Sequence, residues 1–167
     1  MKIAVLGGSF DPPHNGHLHV AKTLLKNKKC EKVILMPLFK HPFEKPLTDF
    51  SHRFTMTKLL KDTNIEVSDI EILRKKISYS IDTLNELKKL HPKDEFSWVI
   101  GKDQEKNFKK WKGWRQIKEN FGLIVVPRSP VDISSSEIRK KIKKGEPING
   151  LVPEKVERYI IKNKLYL

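Results

Sequence analysis

The segment Gly7-Gly8-Ser9-Phe10-Asp11-Pro12-Pro13-His14-Asn15-Gly16-His17 holds the residue types best suited to chemistry. Its two imidazoles, His14 and His17, stand three positions apart where an amphipathic pattern begins. The apolar run Ile3-Ala4-Val5-Leu6 before it reads as a buried strand. Glycines after a strand let the backbone approach a ligand closely. A helix opening near Gly16 presents free N–H groups and the positive end of its dipole, which favour an anion. Both histidines could donate to phosphate oxygens from one side. Zinc fits the pair poorly, because no Cys or acidic third ligand stands at a recognised spacing. Ordinary surface or capping histidines are the plain alternative.

A second segment, Ile133-Ser134-Ser135-Ser136-Glu137-Ile138-Arg139, also opens a helix. Ser134 with Glu137 matches a capping box. The hydroxyls and free N–H groups form an anion cup, with Arg139 one turn further on. Alone, this segment reads more simply as a serine-capped helix with a basic outer face.

The elements that must position these residues follow from the apolar pattern. Strands are expected at 2–6, 32–36, 96–100 and 123–126, and residues 64–72 are expected to be extended, as one short strand and a turn. Helices are expected at 16–27 (Leu18, Ala21, Leu24 and Leu25 on one stripe) and at 52–61 after a Ser51 cap. Ser80 is expected to cap 81–90, two short helices to fill 103–120, and later helices to cover 137–144 and 153–163. Residues 37–50 read as a loop. Strands alternating with helices imply α/β architecture, a doubly wound parallel sheet with helices on both faces. Ligands in such sheets sit beyond the carboxyl ends of the strands. Gly8–His17, Lys40–Lys45, Gly101–Trp111 and Arg128–Arg139 all fall there.

The 167 residues carry 34 Lys and Arg against 20 Asp and Glu, a formal charge of +14, so polyanions are the natural partners. One cysteine, Cys30, excludes a disulfide framework and any CxxC motif. No apolar run approaches the ~20 residues that span a bilayer. The expectation is a cytoplasmic single domain over 1–167, its C-terminal helical part covering about 134–167, with no membrane partner and with homo-oligomers left open. Trp98, Trp111 and Trp114 could stack bases. The lysines are dispersed, however, and no RNA-binding motif is present, so a basic nucleic-acid-binding domain is a distant second reading.

Taken together, the two segments resemble the nucleotidyltransferase superfamily that shares an HxGH signature with class I aminoacyl-tRNA synthetases. A synthetase is set aside because the chain has no room for a tRNA-binding domain. GSFDPPHNGH resembles the N-terminal signature of bacterial nicotinate-nucleotide adenylyltransferases, and ISSSEIR resembles their ISS(T/S)xIR motif. Ser78-Tyr79-Ser80-Ile81-Asp82-Thr83-Leu84 resembles SYTxDTL. Trp98-Val99-Ile100-Gly101-Lys102-Asp103, with Trp111 beyond it, resembles IIGxD…W. Leu151-Val152-Pro153 through Leu165-Tyr166 resembles LVPxxVxxYIxxxxLY, so the likeness spans nearly the whole chain.

The resemblance implies a Rossmann-like nucleotidyltransferase fold and transfer of AMP from MgATP to nicotinate mononucleotide. Deamido-NAD and pyrophosphate would be the products. It further implies that Gly8, Ser9, Phe10 and Gly16 lie against ATP, and that His14, His17 and Arg139 stabilise the charge that develops on its phosphates. Ser134, Ser135, Ser136 and Arg139 would hold the leaving pyrophosphate, and Gly101 and Asp103 the ribose or adenosine side. Ser9, Lys45, Ser80, Asp103 and Trp111 would receive the mononucleotide, with Trp111 stacked on the pyridine ring. Mg²⁺ would arrive on the phosphates, keeping most of its waters. Other acceptors within the class are nicotinamide mononucleotide and phosphopantetheine. Two departures bear on substrate choice. Leu38 stands where the family usually has Asn in PNxxPPHK, leaving Lys45 or His41 as the basic residue of that loop. The connection Ser129–Ile133 is also shorter than in many members.

Overall fold

In a computed structural model, which describes residues 1–42, 46–127 and 133–167, the strands are β1 (Lys2–Gly8), β2 (Lys32–Pro37), β3 (Ile65–Val67), β4 (Glu95–Gly101) and β5 (Gly122–Val126). They form one parallel sheet in the order β3-β2-β1-β4-β5. The order reverses between β1 and β4, so the doubly wound expectation holds and the crevice opens above those two strands. The helices are α1 (Asn15–Lys26), α2 (Phe50–Lys58), α3 (Ile70–Arg74), α4 (Ser80–Leu90), α5 (Lys102–Glu105), α6 (Trp114–Asn120), α7 (Ser135–Lys143) and α8 (Glu154–Lys162).

Alternation along the strands feeds two apolar layers, which is why β1, β2, β4 and β5 read as largely apolar runs. Ala4, Val33, Leu35 and Val99 face Ala21 and Leu24 of α1, Met56 of α2, Ile138 of α7 and Val156 and Ile160 of α8. Ile3, Val5, Ile34, Met36, Phe96, Trp98 and Ile100 face Ile81, Leu84 and Leu87 of α4 and Ile117 of α6. Pairing of β1 with β2 continues to Gly8 opposite Pro37. At Gly7 an added Cβ would lie 2.3 Å from Cζ2 of Trp98, so the indole packs only over bare backbone there.

Three local expectations need correction. The side chain capping α2 is Asp49, whose carboxylate accepts the Ser51 N–H at 2.8 Å; Ser51 lies inside the first turn. Ser80 is the first residue of α4 rather than its cap, a place held by extended Tyr79 without a side-chain bond. The stretch 64–72 is not extended throughout, because α3 begins at Ile70 after β3. The stop of α7 before Gly145 is as expected, with that glycine left-handed at φ +71°.

Candidate active site

The first loop leaves β1 at the sheet's centre and turns sharply. Phe10 adopts φ +49° with its ring buried, and the Asp11–Pro12 peptide is cis. Phe10 thus meets the site from below: its ring supports His17, with centroids 4.6 Å apart. His14 occupies the N-cap of α1, and its backbone N–H donates to Nδ1 of His17 at 3.1 Å. That bond makes Nδ1 the acceptor and leaves the neutral ring's proton on Nε2. The two imidazole centroids are 3.8 Å apart. Gly16 permits this, since a Cβ there would come within 2.9 Å of His14 Nδ1. Burial pushes the His14 pKa down to about 4. Burial, with the neighbouring His14, also holds His17 well below the ordinary imidazole range. Both rings are therefore neutral before an anion arrives. His14 Nδ1 is buried without a hydrogen-bond partner among the described residues, packed against Gly16.

Helix α7 is fastened to this loop. Ser135 Oγ donates to the Pro12 carbonyl at 2.8 Å, and Arg139 Nη1 donates to the Asp11 carbonyl at 2.6 Å. Arg139 Nη2 reaches Ser136 Oγ at 3.3 Å, and Ser134 Oγ accepts the Glu137 N–H at 3.2 Å. Of the three hydroxyls expected to line the cup, Ser135 has spent its proton on the Pro12 carbonyl, whereas Ser134 and Ser136 accept and keep an O–H to donate. Those two hydroxyls, the backbone N–H groups at the start of α7 and the remaining Arg139 donors are the groups left for an anion.

The C-terminal segment holds the other side of the loop. Leu151 O accepts the Asn15 N–H and Gly150 O accepts the Asn15 side-chain amide, each at 2.9 Å. Tyr166 donates its hydroxyl to Asp11 Oδ1 at 2.7 Å, and Asp11 Oδ2 accepts the Thr48 N–H at 3.0 Å. Asp11 is buried. Its carboxylate is a tie between chain segments, a role absent from the sequence reading.

Beside the first loop, at the carboxyl ends of β1 and β4, lies a cleft of about 560 Å³. Gly8, Ser9, Ser80, Asp103 and Trp111 all line it, so five of the expected residues meet in one place. Trp111 is half-buried, its ring 5.6 Å from that of Phe108. Leu38, at the departure noted above, lines the cleft with His41. Gly101 is not among the residues lining the cleft; it packs against Asp103, whose carboxylate would lie 2.5 Å from a Cβ added there. Lys45 and the connection 129–132 fall outside the described residues.

Two cleft features were not anticipated. Lys112 lines the wall, its Nζ 3.0 Å from Asp82 and 4.6 Å from the centroid of the Tyr79 ring. Glu71 is a buried carboxylate at the cleft whose pKa burial raises; it accepts from the Phe39 N–H at 3.2 Å and from the Thr83 hydroxyl at 2.8 Å. Its place on α3 was hidden by the extended reading of 64–72.

Comparison with known proteins matches this architecture to a family. The cytidylyltransferase-like family profile matches residues 5–141. A probable nicotinate-nucleotide adenylyltransferase of Methylacidiphilum infernorum is 37% identical, the alignment covering 99% of this chain and 92% of the relative. One from Dictyoglomus thermophilum is 37% identical with both chains covered in full. The chain belongs to the nicotinate-nucleotide adenylyltransferase family, within the cytidylyltransferase-like group. Solved structures agree on the fold. A Vibrio parahaemolyticus protein described as a nicotinate-nucleotide adenylyltransferase superposes with TM-score 0.85 at 23% identity, over 99% of this chain and 94% of that one. The Plasmodium falciparum nicotinic acid mononucleotide adenylyltransferase, solved with NaAD, gives 0.80 at 24% identity over 99% and 97%. No helix among the described residues is long and apolar enough to cross a membrane.

Proposed function

We propose that the chain transfers the adenylyl group of ATP to the phosphate of nicotinate mononucleotide, giving deamido-NAD and pyrophosphate in NAD biosynthesis. The observation that carries this reading is one strand end serving two sites. The loop after β1 supplies the histidine pair and the tie to α7, while its Gly8 and Ser9 line the aromatic-walled cleft. The names of the relatives supply the acceptor's identity.

No protein nucleophile is needed. An acceptor phosphate oxygen attacks the α-phosphorus, the bond to the bridging oxygen breaks, and its electrons leave with pyrophosphate. Catalysis is then alignment and neutralisation of charge on the departing oxygens. His17 donates from Nε2, and the His14 ring beside it adds a second donor to the same phosphate oxygens. Arg139, the α7 N-terminus and the Ser134–Ser136 backbone hold the outer phosphates, with Gly16 letting the helix start lie close to them. Gly101 and Asp103 border the nucleoside. Trp111 stacks on the pyridine ring, with Ser80 and the backbone after Trp111 near its carboxylate. Phe10 acts through His17.

Mg²⁺ fits this site as a companion of the triphosphate. The cup offers N–H groups, hydroxyls, imidazoles and a guanidinium, donors suited to phosphate oxygens rather than to a hard cation. Among the described residues there is no group of three or more His, Cys, Asp or Glu that could hold a metal. When bound, the ion would offset charge on the phosphates. The reading is tested by incubating the chain with MgATP and nicotinate mononucleotide and identifying the dinucleotide by mass. Deamido-NAD matched by equimolar pyrophosphate is expected; ATP hydrolysis alone refutes it.

A further inference from the structure

Arg53 is the most thoroughly buried charged side chain among the described residues, at 1% exposure. Burying a guanidinium is costly unless its N–H groups are satisfied. Here they are satisfied by the backbone. Nε donates to the Thr48 carbonyl at 2.7 Å, Nη1 to the carbonyls of Ser9 at 2.8 Å and Leu38 at 2.9 Å, and Nη2 to that of Phe39 at 3.4 Å. Asp11, Asp49 and Glu71 act on it through space. A methionine would fill a similar volume on α2 but leave these carbonyls without their donor, so packing alone does not explain a cation here.

The location of these carbonyls gives the arrangement its meaning. Ser9 belongs to the loop after β1, and Leu38 and Phe39 begin the loop after β2. A single Nη1 bridges the two. The Leu38 N–H adds a direct bond to Gly8 O at 3.0 Å. From the opposite side the Phe39 N–H is held by Glu71 at 3.2 Å and Ser78 Oγ at 2.9 Å. The peptide at Leu38–Phe39 is thus gripped on both its carbonyl and its N–H side. Its backbone is held even though Leu38 brings no polar side chain.

We infer that Arg53 is a positioning residue for the transfer, its guanidinium setting the first loop at Ser9 against the second at Leu38–Phe39. In this way it sets the donor phosphates against the acceptor. This role rests on the adenylyl-transfer reading above. A planar fork spans carbonyls on two loops; an ammonium keeps the charge but has no such fork. The obligation therefore falls on arginine's geometry as well as its charge.

The test compares wild type with Arg53→Lys, which keeps the charge, and Arg53→Met, which keeps the volume. Amide hydrogen exchange is followed without substrates, and kcat and the separate dissociation constants of MgATP and nicotinate mononucleotide are measured on folded protein. In Arg53→Lys, exchange at residues 8–11 and 38–39 should rise about tenfold while β4 stays protected. Because misplacement of about 1 Å costs about 100-fold, kcat should fall by that order, with each dissociation constant within about threefold of wild type. Unchanged loop exchange, or kcat within about threefold of wild type, overturns the inference. A loss confined to substrate affinity, or exchange rising equally in β4, overturns it too and leaves Arg53 a folding residue. If wild type itself fails to adenylylate nicotinate mononucleotide, the acceptor reading falls instead. Loop exchange then decides the clamp by itself: selective loss of protection upholds it and unchanged protection removes it.

Discussion

Replacing His17 with asparagine separates the two jobs its ring performs. Nδ1 accepts the His14 backbone N–H at 3.1 Å, so the donor offered to a phosphate is Nε2. An asparagine Oδ1 can take the place of Nδ1, keeping the helix-start bond while removing the outer donor. Losing one preorganised donor to a developing oxyanion costs about 3–4 kcal/mol, or a factor of about 10²–10³ in kcat. His17→Asn should show that loss with an unaltered melting temperature. His17→Ala removes the reciprocal bond as well, at about 1 kcal/mol. In a domain of this size that lowers Tm by about 2–4 °C. His17→Gln carries a side-chain donor out towards the Nε2 position and should recover part of the rate lost by His17→Asn. The assay is pyrophosphate release at saturating substrates, paired with thermal melts. A folded His17→Asn variant turning over within about tenfold of the parent would refute the reasoning, because the Nε2 donor would then stabilise nothing.

Two further outcomes follow from the buried groups. The His14 pKa is about 4 in the folded chain and near 6.5 when unfolded, so between those values the unfolded state alone binds the proton. Stability therefore falls as pH drops from about 6.5 to about 4, by about 3 kcal/mol from His14, with His17 acting in the same direction. Urea midpoints at pH 7 and pH 4.5 should show a smaller difference in His14→Gln than in wild type; an identical difference counts against it. Tyr166→Phe strips the hydroxyl from buried Asp11 and should cost about 1–3 kcal/mol of stability. The Michaelis constant for ATP should also rise, since Asp11 carries the Arg139 contact. An unchanged Tm would show that the tie is not energetically used.

The parts of this molecule legible in the sequence are those encoded by local pattern. The β1, β2, β4 and β5 runs are mostly apolar on both faces, so they stand out, and the glycines after β1 with the His14–His17 pair mark where the first loop enters α1. Local rules failed where two signals competed. Asp49 and Ser51 are both good caps, and the helix took the earlier one because Phe50 lies on the buried side of α2. The five-residue α3 is too short to show a period, so Glu71 went unnoticed. The ties behind the site are long-range. Tyr166 and Asp11 are 155 positions apart, and Arg53 is held by carbonyls, which carry no sequence signature. One clue was present: Arg53 lies three positions from both Phe50 and Met56, on the buried stripe of α2.

The most direct measurement is the initial rate of pyrophosphate release from MgATP with nicotinate mononucleotide, run beside nicotinamide mononucleotide and phosphopantetheine. In the proposed pose the backbone N–H groups after Trp111 would face the ring carboxylate and oppose the NH₂ of a carboxamide, so strong preference for the acid is predicted. Faster release with the amide or with phosphopantetheine, or none with any of the three, would contradict the account.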